Sequence, residues 1–220
     1  MGAFDLIIFD CDGVLIESEW IACGVESEIF TSIGAPLSPE EVRDRYVGQS
    51  EDYMYNDVVS SFGIEVDRAA LVARRRERFW ERAKTELTAV DGVQDFITNL
   101  DHERCVCSNS ERAHVLRGIA MTGITGLPDH HCFSSQDHGA GKPAPDVFLH
   151  AAKVFGIAPS CCLVIEDSPS GVKGGCAAGM QVAGFTGGRH CGDGHGDKLV
   201  DTGASLATSD WNVILEFIHT

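Results

Sequence analysis

The stretch Phe4-Asp5-Leu6-Ile7-Ile8-Phe9-Asp10-Cys11-Asp12-Gly13-Val14-Leu15 decides how this chain folds. Leu6 to Phe9 is a continuous apolar run of the kind that fills a strand buried on both faces, and it stops at two carboxylates flanking one residue. Taken alone, Asp10, Asp12 and Gly13 are ordinary turn formers. An EF-hand loop also opens with Asp-x-Asp, but it needs an oxygen ligand fifth, a glycine sixth and a Glu twelfth. Counted from Asp10, the glycine is fourth, Val14 is fifth and Ile21 is twelfth, which excludes calcium by that route. At the carboxyl end of a central strand in an open parallel sheet, side chains face the crevice where ligands bind. A carboxylate there can attack phosphorus while a second one moves the proton. Two acids this close repel each other and require a divalent cation or a shared proton. The pair therefore predicts a phosphate-binding hydroxyl, a fixed cation and a further acidic metal ligand downstream.

Outward from this strand the character becomes helical and charged, with helices expected over 17–33, 39–46, 51–62 and 67–84. Trp20, Val25, Ile29 and Phe30 follow a helix period, and Ser38-Pro39-Glu40-Glu41 is a helix-start signature. Five arginines between Arg74 and Arg82 suit the solvated basic face of an amphipathic helix, with contact to a substrate anion as the alternative. From Val90 onward short apolar runs alternate with helices. Strands are expected over 104–108, 132–134, 162–166 and 182–185, and helices over 92–100, 112–121, 146–155 and 170–178. Such alternation implies right-handed crossovers and a parallel sheet. The expectation is an α/β fold: a Rossmann-like, three-layer α/β/α core over 1–15 and 89–220, with a helical cap over 16–88 inserted after the first strand.

The chain has 220 residues, enough to bury a substantial core. Its formal net charge of -16 disfavours nucleic acid and anionic membrane as partners, and makes an anionic substrate depend on a local positive site or a metal. The nine cysteines form no C-x-x-C, so they indicate neither a zinc nor a thioredoxin-type motif and read as reduced, mostly buried thiols. No leader pattern or membrane-length apolar run is present, which points to the cytoplasm. The sequence specifies no oligomeric state; a monomer is compatible with it. The segment 187–196 carries Arg189, His190, Cys191, Asp193 and His195 among glycines; a metal loop is one reading, and a mobile surface excursion is the reading its glycines favour.

The expected companions follow in order. Ser108-Asn109-Ser110-Glu111 ends the second strand; Ser108 with Glu111 fits a capping box, and a hydroxyl, an amide and free N–H groups at a helix start also cradle phosphate. Gly141-Lys142-Pro143 holds a lysine between a glycine and a proline just before a helix, where it can meet phosphoryl oxygens and offset the charge of Asp10. Glu166-Asp167-Ser168-Pro169-Ser170-Gly171 is a second acidic pair at a strand end, with Asp167 or Ser168 as a possible helix N-cap.

Together these four segments resemble, in order, the motifs of the haloacid dehalogenase-like hydrolases, and the helical insert is similar to the cap of the beta-phosphoglucomutase-like branch. Phe9 to Glu19, Gly139-x-Gly141-Lys142-Pro143-x-Pro145 and Ala177 to Met180 look particularly like bacterial sugar-phosphate phosphatases, including those acting on 6-phosphogluconate. The resemblance implies that Asp10 is the nucleophile and that Asp12 protonates the leaving oxygen and then activates water. It implies that Ser108, Asn109 and Lys142 hold the phosphoryl group. It further implies Mg2+ bound by Asp10, Asp167 and the Asp12 carbonyl, with Glu166 a ligand or a water-mediated partner. Substrate choice would fall to the cap, through Ser18, Gln49 and Ser50, while Glu51 and Asp52 would oppose a second anionic group.

Within the family, dehalogenases lack the second aspartate, and phosphonate-cleaving members use a cap lysine, of which there is none from Glu17 through Ala83. Mutases carry a histidine and an arginine at positions that fall here on Ala22 and Glu51. The expectation is hydrolysis of a small phosphorylated sugar or sugar acid, with mutase-type phosphoryl transfer as the alternative. A catalytically silent metabolite- or partner-binding protein is the more distant one.

Overall fold

The protein is described by a computed structural model over residues 4–48 and 51–220. It divides into two compact units, Met1–Glu17 with Thr88–Thr220, and Ser18–Leu87.

In the first unit, six parallel strands form one sheet in the order β3-β2-β1-β4-β5-β6. They are β1 (Leu6–Phe9), β2 (Glu103–Ser108), β3 (Cys132–Ser134), β4 (Cys162–Glu166), β5 (Gln181–Phe185) and β6 (Leu206–Thr208). Every residue of β1 and β4 is fully buried, as continuous apolar strands must be when helices cover both faces. β1 lies between β2 and β4, with Leu6 opposite both Glu103 and Cys162. Chain direction across the sheet reverses between β1 and β4, and that switch point is where open α/β sheets bind ligands.

Helices α5 (Val93–Asn99), α6 (Arg112–Thr122), α7 (Asp146–Phe155), α8 (Pro169–Ala177), α9 (His195–Thr202) and α10 (Trp211–His219) complete the unit; α1 to α4 are introduced below with the second unit. One face of the sheet buries Leu6, Ile8, Cys105, Cys107 and Val164 against Val147, Phe148 and Val172 of α7 and α8. On the other, Phe9 meets Phe96 of α5 edge-on, and Trp211 of α10 stacks on Phe185. The expected strands are present, as are helices α5 to α8. β6, α9 and α10 are additional to the sequence expectation. Helix α6 corrects the expected capping box: it starts at Arg112 with Glu111 as N-cap and no side-chain cap bond, while the Ser108 hydroxyl accepts from Ser110 N at 3.0 Å. All nine cysteines are free, six of them buried. Among the described residues no helix is long and apolar enough to cross a membrane.

The chain leaves and re-enters this unit along one seam. Val90 N donates to Leu15 O, Glu17 N donates to Thr88 O, both at 2.9 Å, and Ile16 bridges Ala89 antiparallel.

The second unit holds α1 (Ser18–Ser32), α2 (Pro39–Tyr46), α3 (Glu51–Phe62) and α4 (Arg68–Glu86) around Ile29, Phe30, Tyr55, Val58, Leu71 and Phe79. Ser38 and Glu41 form a reciprocal capping box on α2, and the Asp67 side chain caps α4. Three of the five arginines in the α4 run are engaged inside the unit: Arg75 pairs with the buried Glu26, Arg82 with Glu28 and Glu86, and Arg74 donates to the Ser32 hydroxyl.

Candidate active site

Asp10 is the first residue past β1, and its backbone N–H still donates to Ile165 O of β4 at 2.9 Å. This bond sets Asp10 beside the end of β4, where Glu166 and Asp167 follow. The chain then turns on itself, with Gly13 N donating to Ile16 O at 2.8 Å and Gly13 at φ +81°, a left-handed conformation that favours glycine. A Cβ on Gly13 would also lie 2.1 Å from Asp167 Oδ2, so the two acidic strand ends approach this closely only because residue 13 has no side chain.

Lys142 reaches into the same point. It is 8% exposed, and its ammonium contacts Asp10 Oδ1 and donates to Glu166 Oε1 at 2.6 Å and to the Cys107 carbonyl at 2.7 Å. It also lies 5.2 Å from the Phe148 ring centroid. Burial alone would lower the Lys142 pKa, but the Asp10 and Glu166 carboxylates outweigh it and hold the ammonium charged. Glu166 is fully buried; its second oxygen accepts from the backbone N–H and hydroxyl of Ser168 at 3.1 and 2.9 Å. Ser168 in turn caps α8 through Gly171 N at 3.0 Å, which settles the N-cap in favour of Ser168 over Asp167. Gly171 is required for this: a Cβ there would sit 1.8 Å from the Glu166 carboxyl.

Asp10, Glu166 and Asp167 bring their carboxylate oxygens within 4.8 Å of one another, and all three are buried. Burial raises the Asp10 pKa well above the carboxylate range, Lys142 opposes this, and Glu166, Asp167 and Asp12 add to it. Lys142, even with the His190 ring bonded to Asp167, is outnumbered by Asp10, Asp12, Glu166 and Asp167. An all-oxygen donor set with surplus negative charge fits a small, hard divalent cation.

The remaining predicted residues fall into three groups. Asp12 is half-buried and accepts from the Ser110 hydroxyl at 2.7 Å. Ser108 is buried at the end of β2, next to β1. Asn109 turns its side chain to the lysine loop instead: its Oδ1 accepts from Lys142 N at 2.8 Å and from Ser135 Oγ at 2.9 Å, and its Nδ2 donates to Lys142 O at 3.3 Å. Ser18 is a buried first residue of α1 in the helical unit, and Gln49 and Ser50 lie outside the described residues. Asp52 is ion-paired with Arg68, while Glu51 lies 3.7 Å from Arg75, whose closer partner is Glu26.

Two groups were not foreseen. Ser110 orients Asp12, for which its position two residues past Ser108 was the available signal. Within 187–196, where Arg189, Gly192, Asp193 and Gly194 are exposed as a surface excursion predicts, His190 departs from the reading. It is 3% exposed and bonds Asp167 Oδ2 through Nε2 at 2.8 Å. Burial would lower its pKa, but the hydrogen bonds to Asp167 and Cys191 raise it to about 11.

The model of the haloacid dehalogenase-like hydrolases matches residues 4–179. The chain is 28% identical over 201 residues to 6-phosphogluconate phosphatase of Escherichia coli, covering 91% of this chain and 88% of that one. It is 27% identical to beta-phosphoglucomutase of Bacillus subtilis, covering 97% and 93%. Among solved structures, a haloacid dehalogenase-like protein of unknown function from Agrobacterium tumefaciens superposes with a TM-score of 0.90 at 38% identity, covering 98% and 97%. With its parallel sheet, its acidic strand ends and this match over most of its length, the chain belongs to the haloacid dehalogenase-like hydrolase family, as an enzyme of its phosphatase type.

Proposed function

We propose that the protein hydrolyses the phosphate monoester of a small sugar or sugar acid through an aspartyl-phosphate on Asp10. The observation that carries this is the Lys142 ammonium held between Asp10 and Glu166, with Asp167 in the same buried cluster. Lys142 fixes one oxygen of Asp10, so that the other can attack phosphorus. As the new O–P bond forms and the ester P–O bond breaks, Asp12, oriented by Ser110, gives its proton to the leaving oxygen. Asp12 then takes a proton from water, whose oxygen attacks the same phosphorus, releasing inorganic phosphate and restoring Asp10.

Ser108 and the backbone N–H groups after it, with Lys142, are assigned to the phosphoryl oxygens. Asn109 serves by clamping the lysine loop. Asp10 and Asp167, with the Asp12 carbonyl, would hold magnesium; both oxygens of Glu166 are already engaged by Lys142 and Ser168, which favours Glu166 as an orienting partner. Bound there, the cation supplies positive charge against the phosphoryl oxygens.

The Arg68 pair of Asp52 weakens the like-charge argument against a sugar acid, in line with the 6-phosphogluconate phosphatase relative. The mutase relative supports phosphoryl transfer as a second reading, against which Ala22 and Glu51 replace the family's cap histidine and arginine. The test is phosphate release from 6-phosphogluconate, hexitol phosphates and beta-glucose 1-phosphate, with magnesium or chelator. Metal-dependent release is expected from at least one of them. Isomerisation of glucose 1-phosphate on adding a bisphosphate primer, without net release, would establish the mutase instead.

A further inference from the structure

Three side chains outside the carboxylate cluster converge beside Asp167. The ligand atoms of His190, Cys191 and His195 all lie within 4.8 Å of one another. Cys191 Sγ is 3.4 Å from His190 Nε2 and also hydrogen-bonds the His195 ring, and the two rings stand nearly perpendicular, at 82°, with centroids 5.8 Å apart. Four-coordinate zinc, with bonds of ~2.0–2.3 Å, spaces its ligand atoms by roughly 3.3–3.8 Å. The cluster therefore needs a contraction of only about 1 Å to close on such an ion.

The surroundings of the cluster also suit an ion. His195 Nε2 lies 2.6 Å from the Asp167 carbonyl, an outer hydrogen bond of the kind that orients a ligating imidazole and frees its other nitrogen. His190 is buried with Nε2 3.4 Å from Cys191 Sγ and 2.8 Å from Asp167 Oδ2, and its Nδ1 has no hydrogen-bond partner, so an ion taken at Nε2 exchanges the Asp167 bond for a metal bond. The donor set is two nitrogens and a sulfur, a borderline-soft combination that magnesium does not take, a few ångströms from an all-oxygen set that suits a hard cation.

We propose that His190, Cys191 and His195 form a second cation site, for a divalent ion of the zinc class, with the fourth position left to water. Binding displaces the protons now held between the sulfur and the rings. Asp167 then stands between two cations of different hardness, its carboxylate, released from His190 Nε2, at the hard site and its carbonyl bonded to His195. The ion ties residues 190–195 to the end of β4.

The test is titration of metal-stripped, full-length protein with Co2+ and with Zn2+ in excess Mg2+, following the thiolate-to-cobalt charge-transfer absorption and competition with a zinc indicator. One zinc per chain is expected, undisplaced by magnesium. Cys191→Ser should abolish the charge-transfer band and weaken zinc by more than the roughly 10–100-fold that loss of an outer partner costs. His195→Gln, at a half-exposed position, should weaken it too, while Asp10→Asn should leave it unchanged. Absence of the band in the wild-type protein overturns the proposal. So does zinc binding that survives Cys191→Ser but falls with Asp10→Asn, which would place the ion among the carboxylates. Neither readout depends on phosphatase activity, so this inference and the proposed function fail separately.

Discussion

Lys142 in the sheet unit and Arg75 in the helical unit are both cations set against buried carboxylates, but in opposite balances of charge. Lys142 is 8% exposed and faces Asp10 and Glu166 directly, with Asp167 and Asp12 close behind. Arg75 pairs with one buried acid, Glu26, and reaches the exposed Glu51 at 3.7 Å. A buried ion pair with nothing left over serves packing and orientation at best. A buried cation outnumbered by acids leaves charge that another ligand must neutralise. The same ingredients thus give a paired girder in one unit and a charged cluster fit for a ligand in the other.

The sharpest way to break this contrast is to remove one acid from each cluster. Asp10→Asn is expected to lower turnover on the order of 10^4-fold or more while leaving the melting temperature unchanged or raised, since a repelling carboxylate is gone. A clear loss of melting temperature would make Asp10 a structural acid like Glu26. Next in size is Gly171→Ala, whose methyl would collide with the Glu166 carboxyl; overpacking of this kind costs about 1–3 kcal/mol, to be read in urea unfolding. A neutral result would mean that Glu166 is free to move.

Arg75→Met strips Glu26 of its partner. Breaking a fully buried pair costs several kcal/mol, but the Arg75 side chain is 35% exposed, so solvent screening reduces the expectation to about 1–3 kcal/mol. A change below about 0.5 kcal/mol, the range of ordinary surface substitutions, would remove Arg75 from the comparison.

The smallest effect concerns sign. Burial raises the Glu26 pKa above its ordinary 4.5, and Arg75 only partly offsets this. Between the unfolded and folded values the native state binds more protons, so this group's contribution to stability falls as pH rises through that window. Wild-type protein should therefore lose melting temperature relative to Glu26→Gln on going from about pH 4 to pH 6. A simple salt bridge, with a depressed carboxylate pKa, predicts the opposite slope.

The core strands were legible because each is a short apolar run ending at a polar residue, and the four site segments because three of them end strands and the fourth, around Lys142, opens a helix, all in the expected order. β6 is three residues long with none fully buried, so it carries no such signal. Helix α9 starts from Gly194 without a side-chain cap, inside a run of glycines that reads as loop. Helix α10 has an Asp210 cap and buried Trp211, Ile214 and Ile218 at helical spacing, a pattern that was present to be read. The burial of His190 is different. It depends on Asp167, 23 positions earlier, which only the folded sheet brings beside it. Asn109 shows the converse: an amide next to Ser108 at a helix start reads as a phosphate ligand, while its bonds run to Lys142, a partner that local sequence does not reveal.

The seam where Leu15 and Glu17 pair with Val90 and Thr88 has a consequence for how such a molecule can change. The sheet unit holds both ends of the seventy-residue excursion side by side, so its own pairing needs only that the ends meet. Joining Glu17 to Thr88 by a four-residue turn would lower the closure entropy of that loop by about 2.5 kcal/mol and leave every strand partner in place. The helical unit is in that sense a cartridge: a lineage can lengthen it, exchange it or discard it without renegotiating the fold that carries the carboxylates.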